Sequence, residues 1–122
     1  NIKYIYNTLR PETAINRYID PNWRPHLQTP PFPEYTCGHC TISAAAAETL
    51  SSDFGDHFSY TDSTELEFGI PSRSYSSFRD AAIETMRSRF YGGIHYKYCT
   101  ELSHTMGEEI GKLVVQRLHM KK

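Results

Sequence analysis

Three cations, two histidines and a glycine in this chain have the types and spacing to hold a tetrahedral oxyanion and act on it. Lys3 and Arg10 lie seven residues apart, two turns along one face if the segment is helical. Gly38-His39 stands where a proline-stiffened stretch, Thr29 to Cys40, gives way to the helix-prone run Ser43-Ala44-Ala45-Ala46-Ala47-Glu48. A loop that turns abruptly into a helix leaves N–H groups unpaired at the helix start. Those groups and the helix dipole attract an anion, and Gly38 lets one come close. His39 at that mouth can trade protons near neutral pH. Arg89 falls near the end of a later helix, and His95 follows six residues on, past Gly92-Gly93. A multiply charged oxyanion needs fixed cations, and a reacting group beside it needs a proton shuttle. Taken singly, each residue has a plainer explanation: a solvated face for Lys3 and Arg10, a helix-end cation for Arg89, a packed ring for His95. The joint pattern is what points to one pocket.

The elements that must position these residues read as helices. Asn1 to Leu9 looks like the end of a helix with neither start nor cap, as in a piece truncated at its N-terminus. Arg10-Pro11 breaks it, and Pro11 opens a short helix over Glu12 to Ile19. Trp23 to Thr36 is a proline-rich loop that Trp23, Phe32 and Tyr35 would pack in order. Gly38 to Phe54 is a long helix ended by Gly55-Asp56, and 56–76 is a polar surface loop. Ser77 caps a helix over Phe78 to Tyr91, with Asp80 three residues on and Phe78, Ala82, Met86 and Phe90 recurring every four. Gly92-Gly93 stops it. Thr100 starts the last helix, whose stripe of Leu102, Met106, Ile110, Leu113 and Val114 reads as core, and Arg117 to Lys122 is a basic tail. No strand is read. The expected fold is all-α, a helical bundle forming one domain over residues 1–122.

Composition bounds the function. The net charge of −1 and the lack of a basic run argue against nucleic acid as a partner. No apolar run is long enough to span a membrane. Three cysteines are an odd number, a poor fit to a disulfide framework. Cys37-Gly38-His39-Cys40 has the spacing of a redox dithiol, but that chemistry needs a preceding strand in a βαβ frame. An incidental Cys37–Cys40 disulfide is the plainer expectation. Zinc on Cys37, Cys40, Cys99 and His95 is open on residue type, though only one close pair has ligand spacing. His26, His57, His104 and His119 match no motif and read as surface residues.

Lys3-x6-Arg10-Pro11, then Gly38-His39, then Ser88-Arg89-x5-His95 resemble the three-part signature of the vanadium haloperoxidase and type 2 phosphatidic-acid-phosphatase superfamily. All three parts occur in order with the family's internal spacing. The runs Pro30-Pro31-Phe32-Pro33-Glu34-Tyr35 and Tyr91-Gly92-Gly93-Ile94-His95-Tyr96 look most like soluble bacterial haloperoxidase-like members. The resemblance implies a bundle like the C-terminal part of that fold. It implies a vanadate cofactor, with phosphate as a competing oxyanion, held by Lys3, Arg10, Arg89, the Gly38 N–H and Cys37. His95 would be the vanadium ligand, or the nucleophile in a phosphatase. His39 would deprotonate hydrogen peroxide or protonate a leaving group, Lys3 would polarise the activated peroxide, and Phe32 would line the halide site.

Two departures stand out. Cys37 replaces a serine that donates to an oxyanion oxygen, and a thiol is a weaker, oxidisable donor. Cys99 stands where phosphatase-type members often carry an aspartate that orients the histidine. That absence and the Phe32 loop favour a haloperoxidase using hydrogen peroxide and halide over a phosphomonoesterase acting on a phosphate ester. A degenerate member that only binds an oxyanion is the third reading. Bundle faces left bare could be covered by a second copy of the chain, and family habit implies a periplasmic or secreted location.

Overall fold

The computed structural model describes residues 2–118. The fold is a mostly helical bundle: α1 (Ile2–Tyr6), α2 (Pro11–Tyr18), α3 (Gly38–Phe54), α4 (Phe78–Tyr91) and α5 (Lys97–Leu118). α3 lies at its centre, with α5 and α4 packed on it.

The α3–α5 seam is made of small residues. Cys99, Ser103, Gly107 and Gly111 recur every four positions along α5 and are buried, with Cys99 clustered on Cys40 of α3, Gly107 on Thr41 and Ala44, and Gly111 on Ala45 and Glu48. A Cβ on Gly107 would stand 2.8 Å from the Ala44 Cβ, and one on Gly111 would stand 2.7 Å from the Ala45 carbonyl oxygen. The helices therefore approach almost backbone to backbone. This corrects the expected core stripe, since Leu102, Ile110 and Leu113 are exposed. Close approach selects the face without bulk, so apolar periodicity pointed to the wrong side of the helix.

Helix starts follow local chemistry. The Ser77 hydroxyl accepts from the Asp80 N–H at 3.0 Å and caps α4. Arg79 in the first turn of α4 pairs with Glu48 of α3 at 2.6 Å and with Asp56 at 2.5 Å, tying the two helices together. α5 begins at Lys97, not at Thr100. The Thr100 N–H donates to the Tyr96 carbonyl, and its hydroxyl to the Lys97 carbonyl, so the helix follows directly on His95-Tyr96.

Two further expectations change. Segment 56–76 contains a small antiparallel hairpin, β1 (Tyr60–Asp62) and β2 (Arg73–Tyr75), with Tyr60 opposite Tyr75 and Asp62 opposite Arg73. Three-residue strands are too short for an alternating pattern to show; the rings of Tyr60, Tyr75, Phe58 and Phe78 pack the hairpin onto the helices. Lys3 and Arg10 do not share a helix face. α1 ends at Tyr6, and Asn7 has φ of 45°, a left-handed conformation that asparagine tolerates. Arg10 is extended, φ −72° and ψ 151°, as a residue before proline prefers, and it precedes α2.

The loop from Trp23 is packed against the turn that leads to His95. The Leu27 N–H donates to the Gly92 carbonyl at 3.0 Å. Gly93 has φ of 77°, and a Cβ there would meet the Trp23 ring at 2.9 Å. His26 and His57 are exposed as expected. His104 is not a surface residue: its side chain is 13% exposed, and Nε2 lies 3.5 Å from Glu108. His119 and the end of the basic tail lie outside the described residues.

Gly107→Ala tests the seam. Alanine gains about 1 kcal/mol of helix propensity, but overpacking costs about 1–3 kcal/mol. With backbone and Ala44 both in the way, the variant should unfold at a lower denaturant midpoint than the parent. A raised midpoint would show that the helices are not held this closely.

Candidate active site

The site is built on segment 32–36, which is fixed by its backbone. Lys3 Nζ donates to the carbonyls of Pro33 at 3.2 Å, Glu34 at 3.1 Å and Thr36 at 2.5 Å. The Glu34 N–H donates to the Thr8 carbonyl at 3.0 Å, and the Tyr35 N–H to the Thr8 hydroxyl at 2.9 Å. Arg10 Nε donates to the Phe32 carbonyl at 2.9 Å. Held this way, the Glu34 side chain is fully buried. Its Oε1 lies 2.6 Å from His95 Nδ1 and accepts from the Tyr96 N–H at 3.2 Å.

The protonation of His95 follows from its neighbours. Arg10 Nη1 lies 3.0 Å from His95 Nε2 and also donates to the Ile94 carbonyl. A guanidinium has no acceptor, so Nε2 must offer its lone pair. The ring proton is then on Nδ1, facing Glu34. Burial lowers the His95 pKa, against the pull of Glu34, and keeps the ring neutral. Burial alone would raise the Glu34 pKa; hydrogen bonds from His95, Cys99 and the Tyr96 N–H outweigh it and hold the carboxyl below its usual value.

Around this pair lie groups suited to an anion. Arg10 Nη2 and Arg89 Nε are buried and have no hydrogen-bond partner among the described residues. Buried donors of this kind require an acceptor. His39 sits in the first turn of α3 with its side chain largely exposed; partial desolvation, then Arg89 and His95, lowers its pKa. A Cβ on Gly38 would meet nothing within 4 Å, so the mouth of α3 is open. The first intrahelical bond there runs from the Thr41 N–H to the Cys37 carbonyl at 3.1 Å, which leaves the Gly38 and His39 N–H groups ahead of it. Vanadate or phosphate fits this donor set: acceptor-only oxygens would meet orphaned guanidinium N–H groups and the free start of a helix.

Some expected residues are placed differently. Cys37 forms a disulfide with Cys40, so its sulfur has no proton to donate to an oxyanion. Cys37 Sγ instead accepts from the Cys40 N–H at 3.3 Å, capping α3, and the Cys37 N–H donates to Ser103 Oγ of α5 at 2.9 Å. The same disulfide removes Cys37 and Cys40 as zinc ligands. Lys3 has three carbonyls as partners where an oxyanion was expected. Phe32 is 42% exposed, with Lys3 Nζ 5.2 Å and Arg10 Cζ 5.1 Å from its ring centre. Beside it opens a cleft of about 460 Å³ lined by Thr8, Arg10, Thr29, Pro31 and Phe32. Cys99 is buried 3.7 Å from His95 Nδ1. Burial and the Glu34 carboxylate push its thiol up to about 12, so it stays protonated. Sequence reasoning missed Glu34 because it sought an orienting carboxylate at position 99. The signal was an acidic residue in the proline-stiffened loop just before Gly38.

Comparison with known proteins bears on the fold and the family. The family described as the VCPO second helical-bundle domain matches residues 18–121. A bacterial vanadium-dependent iodoperoxidase of known structure is 52% identical with a TM-score of 0.93; the match covers 96% of this chain and 28% of that one. The holo form of a bacterial vanadium-dependent chloroperoxidase is 24% identical with a TM-score of 0.78, over 94% of this chain and 32% of that one. The apo form of a bacterial vanadium-dependent chloroperoxidase gives 20% and 0.78, over 96% of this chain and 32% of that one. At that distance the chloroperoxidases speak to fold alone. No curated protein matches. The chain thus spans about 28% of the iodoperoxidase it resembles.

The crowding of His39 gives a pH test. A ring whose charged form is disfavoured titrates below the ordinary 6.5. Proton NMR of the anion-free protein should place the His39 midpoint below that value, and added orthovanadate or phosphate should raise it. A midpoint at or above 6.5 without anion would mean that His39 does not face Arg89 and His95.

Proposed function

The chain belongs to the VCPO second helical-bundle family, within the vanadium haloperoxidase superfamily, and on that premise we propose that it carries the vanadate pocket of a haloperoxidase. The observation that carries the reading is two buried guanidinium nitrogens with no partner among the described residues: Arg10 Nη2, on the group that meets a neutral His95, and Arg89 Nε, on the group that acts on His39. When bound, vanadate supplies an electrophilic centre that activates hydrogen peroxide toward halide. Arg10 and Arg89 neutralise the oxyanion, and the Gly38 N–H adds a donor at the α3 mouth. His95 offers its Nε2 lone pair as the vanadium ligand. His39, kept neutral at pH 7, takes the proton from peroxide at its ring nitrogen. Lys3 polarises the peroxide oxygen, giving up carbonyl contacts to segment 33–36 to do so. Phe32, flanked by two cations, lines the approach of the halide anion. The 52% identity to an iodoperoxidase makes iodide the first halide to try.

A phosphomonoesterase on the same residues is the second reading, and one observation favours it. The Glu34 carboxylate on His95 Nδ1 supplies the orienting acid that Cys99 lacks, which would suit His95 as a nucleophile toward a phosphate ester. A member that only binds an oxyanion is the third. We read residues 1–122 as one partial domain that could pair with a second copy. We place it in the periplasm or outside the cell, where the Cys37–Cys40 disulfide would persist.

The test is iodide oxidation by hydrogen peroxide, with and without orthovanadate, on the chain as it stands. Vanadate-dependent turnover is expected. Phosphate-ester hydrolysis inhibited by vanadate, without halide oxidation, would favour the phosphatase, and silence in both assays the binding-only reading. In parallel, His95→Ala should weaken orthovanadate binding by more than the roughly 10–100-fold typical of changes around a metal ligand. Unchanged affinity would remove His95 from the ligand role.

A further inference from the structure

We propose that Glu34 is a positioning residue: its buried carboxylate holds His95 in the Nδ1–H tautomer, so that Nε2 keeps its lone pair turned toward the oxyanion. This rests on reading His95 as the group that meets the oxyanion, and it deepens that reading.

The two sides of the His95 ring are addressed by groups of opposite kind. On Nδ1 stands an acceptor, Glu34 Oε1, at 2.6 Å. On Nε2 stands a guanidinium, which can only donate, at 3.0 Å. A bound oxyanion can replace the second contact. It cannot replace the first, because Glu34 lies on the far edge of the ring from the pocket. The carboxylate is also fixed independently of His95: Thr8 accepts from its backbone N–H, Lys3 donates to its carbonyl, and the Tyr96 N–H donates to Oε1. It is fully buried, and Oε2 has no hydrogen-bond partner among the described residues. A buried acid left with an idle oxygen is a poor way to fill space, since an apolar or amide side chain would pack there at less desolvation. Its charge has a use on a ring nitrogen: a carboxylate on Nδ1–H fixes the tautomer and makes the opposite nitrogen a better ligand. Position 99 holds a protonated thiol, so the acid that orients His95 comes from the loop before α3 and not from α5.

The experiment compares the parent with Glu34→Gln and Glu34→Ala. Glutamine keeps the shape and an acceptor but drops the charge, so it covers the case in which alanine fails to fold. Nitrogen-15 NMR of His95 in the vanadate-free protein reads the tautomer, and titration with orthovanadate reads affinity. The parent should show Nδ1 protonated. The Nδ1–H form should lose population in Glu34→Gln and lose dominance in Glu34→Ala. Affinity should fall about tenfold in the first and toward 100-fold in the second. A tautomer and an affinity both unchanged in Glu34→Gln would overturn the proposal, because shape alone would then suffice. If the parent fails to bind orthovanadate, the functional reading falls. The tautomer shift then decides on Glu34 alone: present, it supports the positioning role; absent, it refutes it.

Discussion

A carboxylate and an imidazole 2.6 Å apart, both cut off from water, set the terms for the rest of this structure. Burying a charged acid is strongly unfavourable unless its partners are already in place. Glu34 and His95 are 61 residues apart in sequence, so two distant segments must arrive together. Lys3, Thr8 and Arg10 bring one of them by gripping the backbone of 32–36. The other comes by the Gly92-Gly93 turn, which Trp23 and Leu27 pack against and which no larger residue could make. Most of the side chains that define the pocket are thus also the ones that assemble it.

The bundle beneath is arranged to keep that meeting point still. The small-residue seam lets α5 lie close along α3, which brings Ser103 within hydrogen-bond reach of the Cys37 N–H at the mouth of α3. The start of α5 follows immediately on His95-Tyr96, and the start of α3 follows immediately on the Glu34 loop. Fixing the two helices against each other therefore fixes the two ends that carry the candidate site. Lys3 is the member with divided duty, since it clamps three carbonyls and also lies against the Phe32 ring.

Much of this was readable from the chain. Gly38–Phe54 and Phe78–Tyr91 have the bounds that their caps and composition announce, because those signals are local. What failed was what depends on other segments. A seven-residue spacing suggests one helix face for Lys3 and Arg10, but Pro11 forces Arg10 to be extended, so their convergence is tertiary. The α5 stripe of leucine and isoleucine reads as core by hydropathy, yet helix approach at Gly107 and Gly111 selected the small face. The hairpin at Tyr60 and Tyr75 is too short to carry a period. Glu34 gives no local signal because its role depends on a partner far away in sequence, and Cys37 reads as a donor by alignment with a serine, whereas the disulfide with Cys40 leaves it no thiol.

The disulfide also changes how the mouth of α3 answers a charge. Cys37 and Cys40 close a covalent ring whose two inner residues are Gly38 and His39. Dipoles in an open loop must swing round when an anion arrives, and that reorientation subtracts from the attraction. Inside a ring they are already turned. The field at the mouth of α3 is therefore set when the ring closes, and an anion that entered would meet an environment with little left to rearrange.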